Sequence, residues 1–166
     1  MNSAAEIPNR IYWALSLSCF AAFTLMLVQV PDWLAAFWPD WIALVLVYWA
    51  LLAPSKVGPI VGFTIGTMLE VLTAKTFGVL SIGLATLVFL VNLTYLQLKV
   101  TSRWLQVFLV VALIAFFKLI NLWLEGIVAG NKIAVQDWYS IIGNIVVWPF
   151  LNIVLDEIRG FFRLRA

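Results

Sequence analysis

The chain has 166 residues, of which 64% are hydrophobic and only 11% charged, with a formal net charge of +2, a mean hydropathy of +1.06, one cysteine and no histidine. An ordinary water-soluble domain is excluded, because its charged fraction would be about 25% and because several apolar runs here approach the roughly 20 residues that cross hydrocarbon. There is no metal-ligand cluster, no nucleophile beside a base and no basic patch interleaved with aromatics, so catalysis, metal or other cofactor chemistry and nucleic-acid binding have no visible apparatus.

The first predicted helix covers residues 11–30 and ends at the turn-like VPDW, 30–33. It is too long for the apolar core of a signal peptide, and VQVPDW offers no small-x-small cleavage site, so it is expected to remain in the protein. Cys19 lies inside it and reads as a packing residue. Ala14, Ser18 and Ala22 give this helix one smooth face.

The second and third helices, 40–53 and 59–73, are short and are bounded by Pro39-Asp40, Pro54-Ser55-Lys56 and Gly58-Pro59. About 13 residues rise only about 20 Å against roughly 30 Å of hydrocarbon, so a re-entrant hairpin over 41–73 competes with two separate spans. Gly58, Gly62, Gly66 and Glu70 recur every four residues and share one face of the third helix. Gly62 and Gly66 form a GxxxG pair, which lets another backbone approach closely, either within this chain or from a partner.

The remaining helices are expected over 79–98, 104–128 and 141–158. The fourth carries Asn92. The fifth carries Lys118, Asn121 and Glu125 at i, i+3, i+7 spacing on one face, and the sixth carries Asn144, Asn152 and Asp156 along one side, with Pro149 expected to kink it. Continuous apolar runs are not the alternating pattern of barrel strands. The fold class is thus an all-α integral membrane protein, residues 1–166 forming a single domain of six transmembrane helices, with a basic tail at 159–166.

Six spans place Arg10, Lys56, Lys99, Arg103, Arg159, Arg163 and Arg165 on one side and only Lys75 and Lys132 on the other, which makes the first side, with both termini, cytoplasmic. Trp13, Trp33, Trp38, Trp41, Trp104 and Trp138 fall near helix ends, where an amphipathic ring anchors at the headgroups. The tail reads as an anionic-lipid contact or topology anchor, and the GNKIAVQD loop at 130–137 as a solvated turn.

Glu70 lies about 18 Å along the third helix from Gly58, too deep to stay charged without a partner or water. Lys118 lies at a similar depth, about 22 Å from Arg103 along the fifth. A direct Glu70–Lys118 pair is one expectation; a neutral Glu70 bonded to Asn or Thr is its rival. Glu70, Lys118, Asn121, Glu125, Asn92, Asn144 and Asn152 together form an expected buried polar pocket. Such residues serve either as interhelical glue, on the order of 1 kcal/mol per hydrogen bond, or as a ligand or proton pathway.

Several stretches taken in order resemble the MreD family, the small membrane subunit of the bacterial rod-shape complex, or elongasome. They are VPDW at 30–33, WPDWIALVLVYWALLAP at 38–54, GFTIGTMLE at 62–70 with TFGVLSIG at 76–83, WLE at 123–125 and VVWPF at 146–150 before a basic tail. The resemblance covers nearly the whole chain. It implies a non-enzymatic scaffold or regulator in the inner membrane that binds MreC and acts with MreB, RodA and a class B penicillin-binding transpeptidase in lateral peptidoglycan synthesis. It also implies a six-helix fold similar to the S-components of energy-coupling-factor transporters, and it supplies no catalytic residues. The family often has Asp at the position of Glu70, and an acid can occupy that of Lys118. Two other functions compete: an S-component-like binder of a small molecule or lipid precursor, and a proton or ion conductor.

Overall fold

The computed structural model describes residues 3–74, 76–100, 103–129 and 138–161. Lys75, Lys132, Asp137, Arg163, Arg165, the loop at 130–137 and the last five residues of the tail lie outside the described residues. The described chain is helical: α1 (Ser3–Leu27), α2 (Asp32–Ala35), α3 (Trp41–Leu52), α4 (Pro59–Thr73), α5 (Val79–Val100), α6 (Arg103–Ala129) and α7 (Ser140–Phe161). Setting aside the four-residue α2, six helices stand where six were expected. α1 begins before residue 11 because its first turns, SAAEIPNR, are helical without being apolar, so hydropathy sees only its later part.

Among the described residues, three helices are long and apolar enough to cross a membrane, over Val79–Leu96, Leu105–Val128 and Ser140–Gly160. Ile11–Leu27, α3 and α4 are shorter apolar helices. The reason for α3 is visible in its surroundings. Nine consecutive residues, Ile42 to Ala50, are buried, so this helix is apolar on every side and sits in the core. Its 12 residues rise about 18 Å, and α1, α5 and α7 pack around it. Because α3 and α4 both pack chiefly on α5 rather than on each other, residues 41–73 do not form a self-contained hairpin.

α4 opens at Pro59, whose missing N–H is harmless in a first turn, after an extended Gly58. It closes at Ala74 in the left-handed region, with φ of 50°, and the chain turns again at Gly78, with φ of 91°. This tight reversal lays α4 along α5. A Cβ on Gly62 would lie 2.7 Å from the Leu84 carbonyl oxygen, and one on Gly66 would lie 2.5 Å from the Ser81 Cα. The GxxxG face is therefore filled by the backbone of α5. Ala14, Ser18 and Ala22 are likewise buried, on a helix that packs against α3. A Cβ on Gly58 would meet nothing within 4 Å, so that glycine serves the helix entrance and not the packed face.

The outer faces carry large apolar side chains: Trp13 and Phe20 on α1, Ile60 and Met68 on α4, Phe108 and Ile127 on α6, Phe150 and Ile153 on α7. This is the surface a bilayer covers at no hydrophobic cost. Trp38 and Trp41, expected as anchors near helix ends, are half-buried beside each other. Their rings meet edge to face at 5.8 Å, and both indole nitrogens are enclosed. α7 continues through Pro149, which lies on its exposed side, while Gly143 on α7 admits the carbonyl of Phe37. That contact fixes the segment between α2 and α3 against the start of α7.

Candidate functional site

Glu70 is fully buried on α4, and its partners are the first donors of the neighbouring helix. Oε1 accepts from the backbone N–H of Leu80 at 2.6 Å and of Ser81 at 3.0 Å. Oε2 accepts from the N–H of Gly78 at 3.0 Å and from the Ser81 hydroxyl. The opening N–H groups of a helix have no intrahelical partner and carry the positive end of its dipole. Glu70 thus caps α5 from the side, and the four bonds fill the acceptor capacity of a carboxylate. The expected Glu70–Lys118 pair is not formed, nor is a bond from Glu70 to Asn or Thr. A helix start supplies both donors and positive potential without burying a second charge, which is the cheaper arrangement in a low dielectric.

Lys118 instead meets Asp40, with Nζ 3.2 Å from Oδ2 and 3.4 Å from Oδ1, and it also donates to the hydroxyl of Ser140. Asn144, fully buried on α7, donates from Nδ2 to Asp40 Oδ2 at 2.9 Å and accepts from the Asp40 backbone N–H at 2.8 Å. Asp40 immediately precedes α3, Lys118 lies within α6, and Ser140 opens α7, so this cluster joins the starts of two helices to the middle of a third. The Lys118 and Asp40 side chains are only 17% and 28% exposed, which makes the pair partly desolvated and each partner expensive to remove alone. In the sequence Asp40 stands only as part of the Pro39-Asp40 boundary of the second predicted helix. The one signal for it was an acid just ahead of an unbroken apolar helix; its partners lie 78 to 104 residues away.

Beside this cluster is a cavity of about 520 Å³. One face of α6 lines it with Phe117, Lys118, Asn121, Leu122 and Glu125, and Asp40, Val79 and Leu80 complete the wall with Ala74 and Thr76 from the α4–α5 turn. The Asn121 amide rests on Gly83 of α5, where a Cβ would strike it, and its Oδ1 is buried without a donor.

The expected single polar pocket is therefore divided. Lys118, Asn121 and Glu125 share the cavity, Asn144 joins them through Asp40, and Glu70 lies behind the wall at the start of α5. Asn92 is elsewhere, donating to the Val57 carbonyl at 3.1 Å. Asn152 is half-buried on α7, near the level where the Tyr48 hydroxyl donates to Asp156 at 2.6 Å and Arg159 approaches Asp156 at 3.7 Å. Among the described residues, no three His, Cys, Asp or Glu side chains gather to hold a metal ion.

Residues 9–158 match the family of rod shape-determining protein MreD. The chain belongs to the MreD family. Rod shape-determining protein MreD of Haemophilus influenzae is 30% identical to it over 158 residues, covering 93% of this chain and 96% of that protein. No solved structure matches, so the likeness to transporter S-components rests on the sequence resemblance alone. The MreD match contains Glu70 with its helix-cap donors and the whole Asp40–Lys118–Ser140–Asn144 cluster, so both polar centres lie within the part of the chain that defines the family. Membership makes this a membrane protein of rod-shape determination, a family of structural rather than catalytic character.

Proposed function

We propose that this chain is a scaffold of the rod-shape machinery in the inner membrane, crossing it six times with both termini in the cytoplasm. In this reading it binds MreC and, in company with MreB, RodA and a class B penicillin-binding transpeptidase, supports lateral peptidoglycan synthesis. The family match over residues 9–158 carries the proposal. The interior suits it too: the buried Glu70 and the part-buried Lys118–Asp40 pair are engaged in holding helices together, which is what a rigid platform requires. Since the small-residue faces of α1 and α4 are consumed inside the chain, the partner meets the outward aromatic and aliphatic faces of α1, α4, α6 or α7.

The test is complementation. A rod-shaped bacterium depleted of its own MreD-family protein should become round and regain rods when this chain is expressed, and an MreC-type partner should co-purify from its membranes. Cells that stay round despite folded, membrane-inserted protein would overturn the shape role. Restored rods without co-purifying MreC would overturn the partner assignment alone.

A further inference from the structure

We infer that the face of α7 carrying Ile145, Pro149 and Asn152 docks a transmembrane helix of a partner protein, one that presents two hydroxyl or amide side chains seven residues apart. This rests on the scaffold reading and narrows it, since that reading leaves the outward faces of four helices open to a partner. The three residues follow i, i+4, i+7 spacing and lie along one stripe of the helix. Ile142 and Asp156 extend the stripe by a turn at each end. Ile142 is 51% exposed and Ile145 42%, Pro149 is exposed and Asn152 half-buried, so a neighbouring helix can reach all of them.

Two polar groups on this stripe do not suit a lipid-facing surface. Pro149 sits inside the helix without an N–H, so the carbonyl of Ile145, four residues earlier, lacks its ordinary intrahelical donor. One turn beyond the proline, the Asn152 amide makes no hydrogen bond among the described residues, and its polar atoms are not enclosed by the chain. Thr24, Thr64 and Thr86, by contrast, return their hydroxyls to carbonyls of their own helices. Counted from Ser140, Ile145 lies about 8 Å and Asn152 about 18 Å along the span, and Asn152 is about 14 Å short of Phe161 at the other end. Both groups therefore lie inside the hydrocarbon layer, where acyl chains offer neither donors nor acceptors.

A protein helix offers both. The carbonyl needs a donor and the amide needs a donor and an acceptor, which hydroxyl and amide side chains supply without the desolvation cost of a charge. The two levels are seven residues apart, about 10 Å by helix rise, so a neighbouring helix meets both from positions j and j+7. A second copy of this chain does not: inserted in the same orientation, its α7 would bring Asn152 to Asn152 and leave the Ile145 carbonyl unmatched about 10 Å away.

Photo-crosslinking in the membranes of a rod-shaped bacterium tests the surface, with p-benzoylphenylalanine replacing Ile142 in the full chain and, as a control, replacing Ile60 on α4. The probe at Ile142 should capture the membrane-spanning segment of the MreC-type partner. Asn152→Leu should lower the captured and co-purifying partner about three- to tenfold, the worth of one interhelical hydrogen bond. Pro149→Ala, which gives the Ile145 carbonyl its own donor back, should lower it as well. In the isolated chain in detergent, neither variant should lower the thermal unfolding midpoint, and Pro149→Ala should raise it. Those opposite signs separate a docking face from an internal one, where a lost contact weakens fold and complex together. A less stable isolated Asn152→Leu, or partner retention unchanged in both folded variants, overturns the site. Capture of a second copy from Ile142 assigns the stripe to self-association and overturns the partner helix. Partner retained by wild type but captured only from Ile60 overturns this face and leaves the scaffold reading intact. If wild type retains no MreC-type partner, that assignment falls; the site then stands if Ile142 captures another spanning helix in an Asn152-dependent way, and falls with it otherwise.

Discussion

Glu70 has to satisfy two demands at once, since a carboxylate inside a membrane protein needs donors and the start of α5 needs acceptors. Meeting both with one side chain predicts a specific mutational pattern. Glu70→Gln keeps the shape but turns an NH₂ toward backbone N–H groups, and should destabilise the protein by about 2–4 kcal/mol. Glu70→Ala should be at least as harmful, whereas Glu70→Asp should fall between Glu and Gln because a carboxylate one methylene shorter reaches fewer of the four donors. Thermal unfolding in detergent gives the order, and a Gln variant as stable as wild type would remove the cap from the account. At the other cluster, Lys118→Met should cost about 1–3 kcal/mol by leaving the part-buried Asp40 without its counter-charge, and adding Asp40→Asn should recover part of that loss. A strictly additive double variant would mean the pair is not coupled. The need of Glu70 for a partner is plain in the sequence, yet its partners are not. Three are backbone N–H groups, which no residue identity announces, and matched depth alone cannot separate Lys118 from any other donor at that level. Asp40 is missed from the polar pocket for the complementary reason: an acid after a proline marks a helix boundary, and nothing local announces Lys118 and Asn144 until α6 and α7 are packed beside it.

The α4–α5 hairpin is the element on which the first centre depends. Gly62 and Gly66 let the two backbones meet, and that approach brings Ser81 and Leu80 within reach of Glu70. Gly66→Ala would put a methyl group 2.5 Å from the Ser81 Cα, where only backbone can give way, so a loss of about 1–3 kcal/mol or more is expected. Gly62→Ala should behave similarly against Leu84. Because both glycines face inward, these variants should lower the amount of folded protein and complex together. Folded fraction can be read by fluorescence-detected size exclusion, partner binding by pull-down; loss of partner from fully folded Gly62→Ala would mean this face also meets another protein. The periodicity of the glycines is legible in sequence, but the four-residue spacing is the same for an internal and an external neighbour. Helix entrances are more readable, as at Pro59, because local chemistry alone sets them. α2 escapes detection since four residues carry no periodicity.

Across the whole molecule, α1, α5 and α7 enclose the apolar α3, and the proposed orientation makes a measurable claim. With Cys19 replaced, a single cysteine at Lys56 should react with a membrane-impermeant reagent only from the cytoplasmic side, and one at Ala74 only from the opposite side. The reverse pattern would invert the topology. Six helices can be counted from apolar runs, but the centrality of α3 cannot, because a run apolar on every side looks the same in lipid as in protein.

α3 also constrains how the protein is made. Twelve residues are too few to hold a helix across hydrocarbon unaided, and two of the walls that enclose them, α5 and α7, emerge later from the ribosome. α3 must therefore wait, sheltered by the insertion machinery or by α1, until its successors arrive. A nascent polypeptide arrested before α7 would leave its own centre unsealed on that side.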